Sequence, residues 1–190
     1  MNDPALSTMS FADAQADMRT SYYSGATGAL TSATAWLVAA VVVTTVSPKT
    51  GMITLLLGGI FIFPVSLVFC KILGRSGKHN PINPLGPLAL EGTVWMIASM
   101  VIAVGASFYR LDWFFPAMLL IIGGRYLTFS TLYGLKTYWA FGVALIGTAS
   151  ALVPLEAPAW VGAYAGAAIE YVFGGILLIR DKSTHRALEN

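Results

Sequence analysis

Long apolar stretches fill most of this chain and are separated by short segments rich in turn residues. A helix needs about 20 apolar residues to cross the hydrocarbon core of a membrane. Six stretches qualify: residues 26–46, 52–73, 88–108, 113–134, 138–154 and 158–179. Only 11% of the residues are charged, against about 25% in a typical soluble domain. The sequence therefore predicts a single all-α domain over residues 1–190, an integral membrane bundle of six transmembrane helices.

The segments between these helices carry very unequal numbers of basic residues. One side of the membrane would hold eight of them: Arg19, Lys71, Arg75, Lys78, Lys136, Arg180, Lys182 and Arg186. The other side would hold Lys49 and Arg110. Because Lys- and Arg-rich loops stay in the cytoplasm, both termini are predicted to be cytoplasmic. The predicted location is the inner, or plasma, membrane of a cell.

Residues 10–23 precede the first apolar stretch and are predicted to form a short amphipathic helix on the cytoplasmic surface. Ser10 to Asp13 resembles a capping box, with Asp in place of the usual Glu. Apolar side chains from Phe11 to Tyr22 recur at helical spacing. The other face is acidic and does not favour contact with anionic lipid, so docking against the cytoplasmic loops is an equally good interpretation.

Residues 16–37 resemble the opening of an uncharacterised family of small bacterial polytopic membrane proteins. The resemblance is carried by Ala16-Asp17-Met18-Arg19, Tyr22, Gly25-Ala26-Thr27-Gly28 and Trp36-Leu37. It implies a bacterial source and a multi-pass membrane fold. The family has no assigned activity, so the resemblance implies no reaction, cofactor or site residue.

Two charged residues, Arg125 and Glu170, lie deep inside apolar stretches. Each stands ten or eleven residues before the basic residue that closes its helix, Lys136 or Arg180, which places it about 15 Å from the inner boundary. An ionised group in hydrocarbon costs several kcal/mol. The two could form an ion pair that fixes helix packing. Alternatively, Arg125 could bind a small anionic solute, with Glu170 as the counter-charge or as a proton carrier.

Three further residues are candidates for the same site. Tyr126 and Thr128 follow Arg125 in an unusually polar part of the fourth helix, which should face protein or water rather than lipid. Glu91 lies early in the third helix, where it could meet Lys71 or Arg75 or line a vestibule that leads toward Arg125. Trp95, on the same helical face as Glu91, is expected to pack inside the bundle.

Small residues surround Glu170 at helical spacing. Gly162, Gly166 and Gly174 recur with it every four residues, so all four share one stripe of the sixth helix. Small residues let a neighbouring backbone approach closely. The pattern predicts that Glu170 lies in a contact between helices rather than toward lipid, and Trp36 is expected to pack inside the bundle too.

Several classes of function are disfavoured by composition. The net charge of +2 is too small to suggest nucleic-acid binding, and the single cysteine, Cys70, excludes an intramolecular disulfide. The chain has no paired His and no His/Glu metal spacing, so no catalytic residue, metal or cofactor is predicted. A transporter or channel for a small solute or anion, coupled to protons, is favoured over an enzyme.

The alternative is a non-enzymatic scaffold, sensor or accessory subunit of a membrane complex. Six spans in a chain of 20.2 kDa make a thin wall around a pathway, so transport would favour a homo-oligomer. An accessory role would instead require a membrane-protein partner. The lipid bilayer is the expected surrounding in either case.

Overall fold

A computed structural model describes residues 9–189, with side chains as far as Ser183. All regular secondary structure in this range is helical. The seven α-helices are α1 Phe11–Tyr22, α2 Ala26–Thr45, α3 Pro48–Ile72, α4 Leu85–Tyr109, α5 Phe114–Tyr133, α6 Thr137–Leu152 and α7 Ala159–Glu189. Two short 3-10 turns, Tyr23–Gly25 and Leu111–Trp113, join α1 to α2 and α4 to α5. The predicted all-α class is confirmed.

Five of these helices, α2, α3, α4, α5 and α7, are long and apolar enough to cross a membrane. Helix α6 is apolar but has only 16 residues, which gives a length of about 24 Å. This is slightly shorter than a typical hydrocarbon core of about 30 Å. The apolar helices define a multi-pass membrane protein, and their positions follow the predicted stretches closely.

Two helices begin earlier than predicted because residues before the apolar stretch cap them. Ser47 is the N-cap of α3 and accepts a hydrogen bond from the backbone N–H of Thr50, so α3 starts at Pro48. In α4, the side chain of Asn83 accepts a hydrogen bond from the N–H of Leu85. Pro87 then falls in the first turn, where its missing N–H needs no partner. Helix α4 therefore starts three residues before the predicted stretch 88–108.

The helices pack in two groups that face each other. Helix α2 packs along α7 and α3, while α5 packs along α6 and α4. The groups meet through large buried side chains, among them Trp36 of α2 and Phe115 of α5, whose ring centroids are 6.0 Å apart. Helices α3 and α4 lie at the periphery, with much of their apolar surface exposed. In a bilayer that surface faces lipid or another protein.

Helix α1 docks on the bundle. This agrees with the interpretation of residues 10–23 as a docking helix rather than a helix in contact with lipid. Ser10 is its N-cap, as predicted, and Ala14 and Met18 are buried. Gln15 donates a hydrogen bond of 2.7 Å to the carbonyl of Thr131, near the end of α5. Phe11 is 56% exposed, so the buried face of α1 differs from the predicted one at its start.

The junction between α1 and α2 is a sharp turn of three residues with positive φ. Tyr23, Ser24 and Gly25 have φ angles of 51°, 53° and 82°. A side chain at Gly25 would collide with the hydroxyl of Tyr138, and that hydroxyl donates a 2.7 Å hydrogen bond to the carbonyl of Ser24. Non-glycine residues with positive φ are strained and persist where surrounding contacts hold them. Tyr138 supplies such a contact and ties α6 to the start of α2.

Candidate functional site

An open cavity lies between α4 and α5 and is called here the α4–α5 groove. Its volume is ≈ 350 Å³. Its lining residues are Gly92, Trp95, Ser99, Ile102, Ala117, Leu120, Ile121, Gly124, Arg125 and Thr128. Trp95 and Ile102 are 74% and 69% exposed, so the groove opens on the outer surface of the bundle. Its size lies within the usual range for small-molecule sites, about 300–1,000 Å³.

Arg125 contributes the charge of this groove. Its Nη2 donates a hydrogen bond of 2.9 Å to Thr93 Oγ1 on α4, and its guanidinium lies 5.0 Å from the ring centroid of Phe129. Its Nη1 is buried and has no hydrogen-bond partner. A buried charged donor without an acceptor is costly. The arginine that lines the groove therefore keeps one unsatisfied cationic donor.

Small and hydroxyl side chains leave room around this guanidinium. A Cβ at Gly92 would lie 3.9 Å from Arg125 Nη1 and 3.8 Å from Thr128 Oγ1, so any larger residue there would fill the space. Thr128 is exposed, and its hydroxyl donates a hydrogen bond of 2.7 Å to the carbonyl of Arg125. The Thr128 oxygen can still accept a hydrogen bond from a ligand.

Glu170 lies elsewhere, in the contact between α7 and the opposing helices. It has no exposed surface, and neither carboxyl oxygen makes a hydrogen bond. The side chains of Ser32 on α2 and Tyr126 on α5 adjoin the carboxyl group. A carboxylate with this surrounding would be strongly destabilised, whereas a neutral carboxylic acid is not. The geometry therefore suits a group that holds a proton.

The small-residue stripe of α7 packs as predicted. A Cβ at Gly166 would lie 2.5 Å from the ring of Trp36, one at Gly162 would lie 2.9 Å from Phe115, and one at Gly174 would lie 2.9 Å from Leu30. These positions bring α7 against α2 and α5 so closely that Glu170, on the same stripe, is enclosed. The prediction that Glu170 lies between helices is confirmed.

The ion pair between Arg125 and Glu170, one of the two alternatives for these residues, is not formed. The salt bridges within the described chain are Arg75–Asp181 at 3.1 Å and Arg110–Glu156 at 3.2 Å. The reason lies in α5, where consecutive side chains point about 100° apart. Tyr126 faces inward and stacks on Phe141 with ring centroids 3.8 Å apart, which leaves the neighbouring Arg125 directed toward α4.

The remaining candidates are placed as follows. Glu91 is exposed on α4. Its suggested partner Arg75 is instead held by Asp181 and lies 4.7 Å from the ring centroid of Tyr23. Trp95 is not packed inside the bundle, because it lies at the open side of the α4–α5 groove and is largely exposed. Trp36 is fully buried, as predicted.

The sequence pattern did not reveal the direct neighbours of Arg125. Thr93 also donates a hydrogen bond of 2.8 Å to the carbonyl of Ala89, four residues earlier, an arrangement that hydroxyl residues commonly adopt inside helices. Nothing in the local pattern distinguishes Thr93 from other such threonines. Phe129 follows Arg125 by one helical turn, and this spacing could have predicted the ring contact. Among the described residues, His, Cys, Asp and Glu side chains form no cluster of three that could hold a metal ion.

Fold and site together define a multi-pass α-helical membrane protein with a buried acid and a groove that contains an arginine. The chain belongs to the DUF7010 family, a family of unknown function, and the match covers residues 11–180. This agrees with the resemblance carried by residues 16–37. No curated protein and no solved structure matches the chain.

Proposed function

We propose that this protein is a small-solute transporter of the membrane, in which Arg125 binds an anion in the α4–α5 groove. The observation that carries the proposal is the buried Nη1 atom of Arg125, which lacks an acceptor in a residue that lines an open cavity. An arginine cannot lose its charge in a protein. An anionic solute would supply the missing acceptor and the missing counter-charge together.

The proposal includes six membrane crossings, with α6 as the short one and both termini in the cytoplasm. The unequal distribution of Lys and Arg between the two sides supports this orientation. Arg125 and its partner Thr93 each lie eight residues from the nearer end of their helix, Tyr133 or Leu85. The site is then about 12 Å from the cytoplasmic ends of α4 and α5.

Glu170 is the proposed proton carrier. It lies on the other side of α5 from the groove, and Tyr126, the residue next to Arg125, adjoins its carboxyl group. A movement of α5 that rearranged Arg125 would therefore also change the surroundings of Glu170. This arrangement would couple uptake of an anion to uptake or release of a proton.

Uptake into liposomes tests the transport proposal. The purified protein would be reconstituted and supplied with a panel of labelled anions, with and without a pH gradient. Arg125→Gln should lower uptake about tenfold or more, because a hydrogen bond to a charged group contributes roughly 1.5–3 kcal/mol. Arg110→Gln is the matched control, since Arg110 forms an exposed ion pair with Glu156. Equal uptake by the Arg125→Gln variant and the unaltered protein would contradict the proposal.

A second candidate is an accessory subunit of a membrane complex. It is favoured by the exposed apolar sides of α3 and α4, which include Phe61 and Phe63, 62% and 63% exposed. A second membrane protein could cover these faces. Recovery of one stoichiometric partner in mild detergent, lost when α3 carries polar substitutions at these positions, would support this candidate over transport.

A further inference from the structure

We infer that the ligand of the α4–α5 groove is an amphiphile, an anionic head group with an apolar tail. The inference rests on the proposed anion site and adds the class of molecule that the site takes. Polar side chains with free capacity lie at one end of the groove, where Arg125 and Thr128 oppose Gly92. The opposite end is formed by Ile102 and Ala117.

The groove is long enough for a tail. Gly92 and Ile102 are ten residues apart on α4, and Ala117 and Thr128 are eleven apart on α5. At 1.5 Å per residue the wall is about 15 Å long. Between its ends it is lined mainly by apolar atoms. The hydroxyl of Ser99 is already satisfied by the carbonyl of Trp95, at 2.9 Å.

The opening of the groove also favours an amphiphile. Leu120, Trp95 and Ile102 are partly or largely exposed around it, so a ligand enters from the side of the bundle through an apolar rim. A small hydrated anion would lose its water at that rim without compensation. An amphiphile would keep its tail in an apolar surrounding throughout and bring only its head group to Arg125. A free long-chain carboxylate and the phosphate of a membrane lipid share this chemistry.

A substitution at Gly124 can block binding of the tail and leave Arg125 unchanged. Gly124 lines the groove, and a Cβ built there meets no atom within 4 Å. Gly124→Leu should therefore fill the groove while the fold is retained. Gly175 of α7 is equally open but lies outside the groove, so Gly175→Leu is the matched control.

Binding is measured with the full chain in nanodiscs of neutral lipid, with decanoate, acetate and decanol as probes. Decanoate should bind at least about tenfold more tightly than either acetate or decanol. Arg125→Gln should weaken decanoate binding by a similar factor and bring it close to that of decanol. Gly124→Leu should abolish decanoate binding, while Gly175→Leu should leave it unchanged. A second arm adds anionic phospholipid to the discs: competition with decanoate identifies a membrane lipid as the source of the ligand, and its absence identifies a free acid.

Two results would overturn the inference, and they differ in whether the proposed anion site is also contradicted. Equal affinity for acetate and decanoate, with no effect of Gly124→Leu, would leave an anion site without a tail site. Absence of binding by both carboxylates in the folded protein would remove the anion site as well.

Discussion

A carboxyl group in hydrocarbon can lose its charge by taking up a proton, whereas a guanidinium group cannot. This difference explains the opposite surroundings of Glu170 and Arg125. Glu170 is enclosed by tightly packed helices with no hydrogen bond to its carboxyl group. Arg125 contacts the hydroxyl of Thr93 and the ring of Phe129 and lines the open α4–α5 groove. The two residues therefore do not neutralise each other.

Double-mutant cycles on protein stability test this independence. Arg125→Met and Glu170→Gln should be additive to within about 0.5 kcal/mol, because the two groups make no direct contact. The matched cycle is Arg75→Met with Asp181→Asn, which removes a largely buried ion pair and should show a coupling of about 1–3 kcal/mol. Thermal or denaturant unfolding in detergent gives both values. A coupling between Arg125 and Glu170 as large as that of the control pair would show that they interact directly.

At the scale of helices, the contact of α7 with α2 depends on the absence of side chains. Gly166 lies against the ring of Trp36, which is itself fully buried. A buried aromatic residue in a packed core has little room to move. The close approach of the two helices is what encloses Glu170.

Gly166→Ala should therefore destabilise the protein by about 1–3 kcal/mol, the usual cost of overpacking. At Gly175, further along the same helix, an added Cβ meets no atom within 4 Å. Gly175→Ala should be neutral or stabilising by up to about 1 kcal/mol, because alanine favours helix more than glycine does. Melting temperatures of the two variants check this pair of expectations. Equal effects at both positions would argue against the close contact between α7 and α2.

Helix positions could be predicted from the sequence, but helix orientations could be predicted only in part. Apolar runs of sufficient length determine where a membrane helix lies, and the four-residue glycine spacing determines the buried face of α7. The polar and apolar residues of α5 are spread over all its faces, so its pattern does not distinguish the face toward α4 from the face toward α2. For this reason neither the direction of Arg125 nor its partner Thr93 could be predicted.

For the molecule as a whole, side-chain hydrogen bonds connect most of the helices at one end of the bundle. Asp181 of α7 accepts hydrogen bonds from Arg75, just after α3, and from Ser24, at the start of α2. Asn83, just before α4, donates hydrogen bonds to Asp17 and to the carbonyl of Ala14 in α1. These contacts join α1, α2, α3, α4 and α7 at one end of the bundle. Apart from these contacts, α4 packs mainly against α5.

The proposed six-crossing topology can be tested by cysteine labelling in intact cells. In a Cys70→Ala background, a membrane-impermeant maleimide should label Lys49→Cys and Leu155→Cys. It should label Lys78→Cys and Lys136→Cys only after the cells are permeabilised. All four positions are exposed in the structure, and Cys70, the only native cysteine, is buried. Labelling of Leu155→Cys and Lys136→Cys from the same side would show that α6 does not cross the membrane.

The central claim is that Arg125 holds an anion in the α4–α5 groove, and an experimental map of the protein in lipid nanodiscs tests it most directly. The account predicts non-protein density in the groove, with its head within about 3 Å of Arg125 Nη1. A groove empty of such density, with Nη1 bonded to a carboxylate of the chain itself, would contradict the claim.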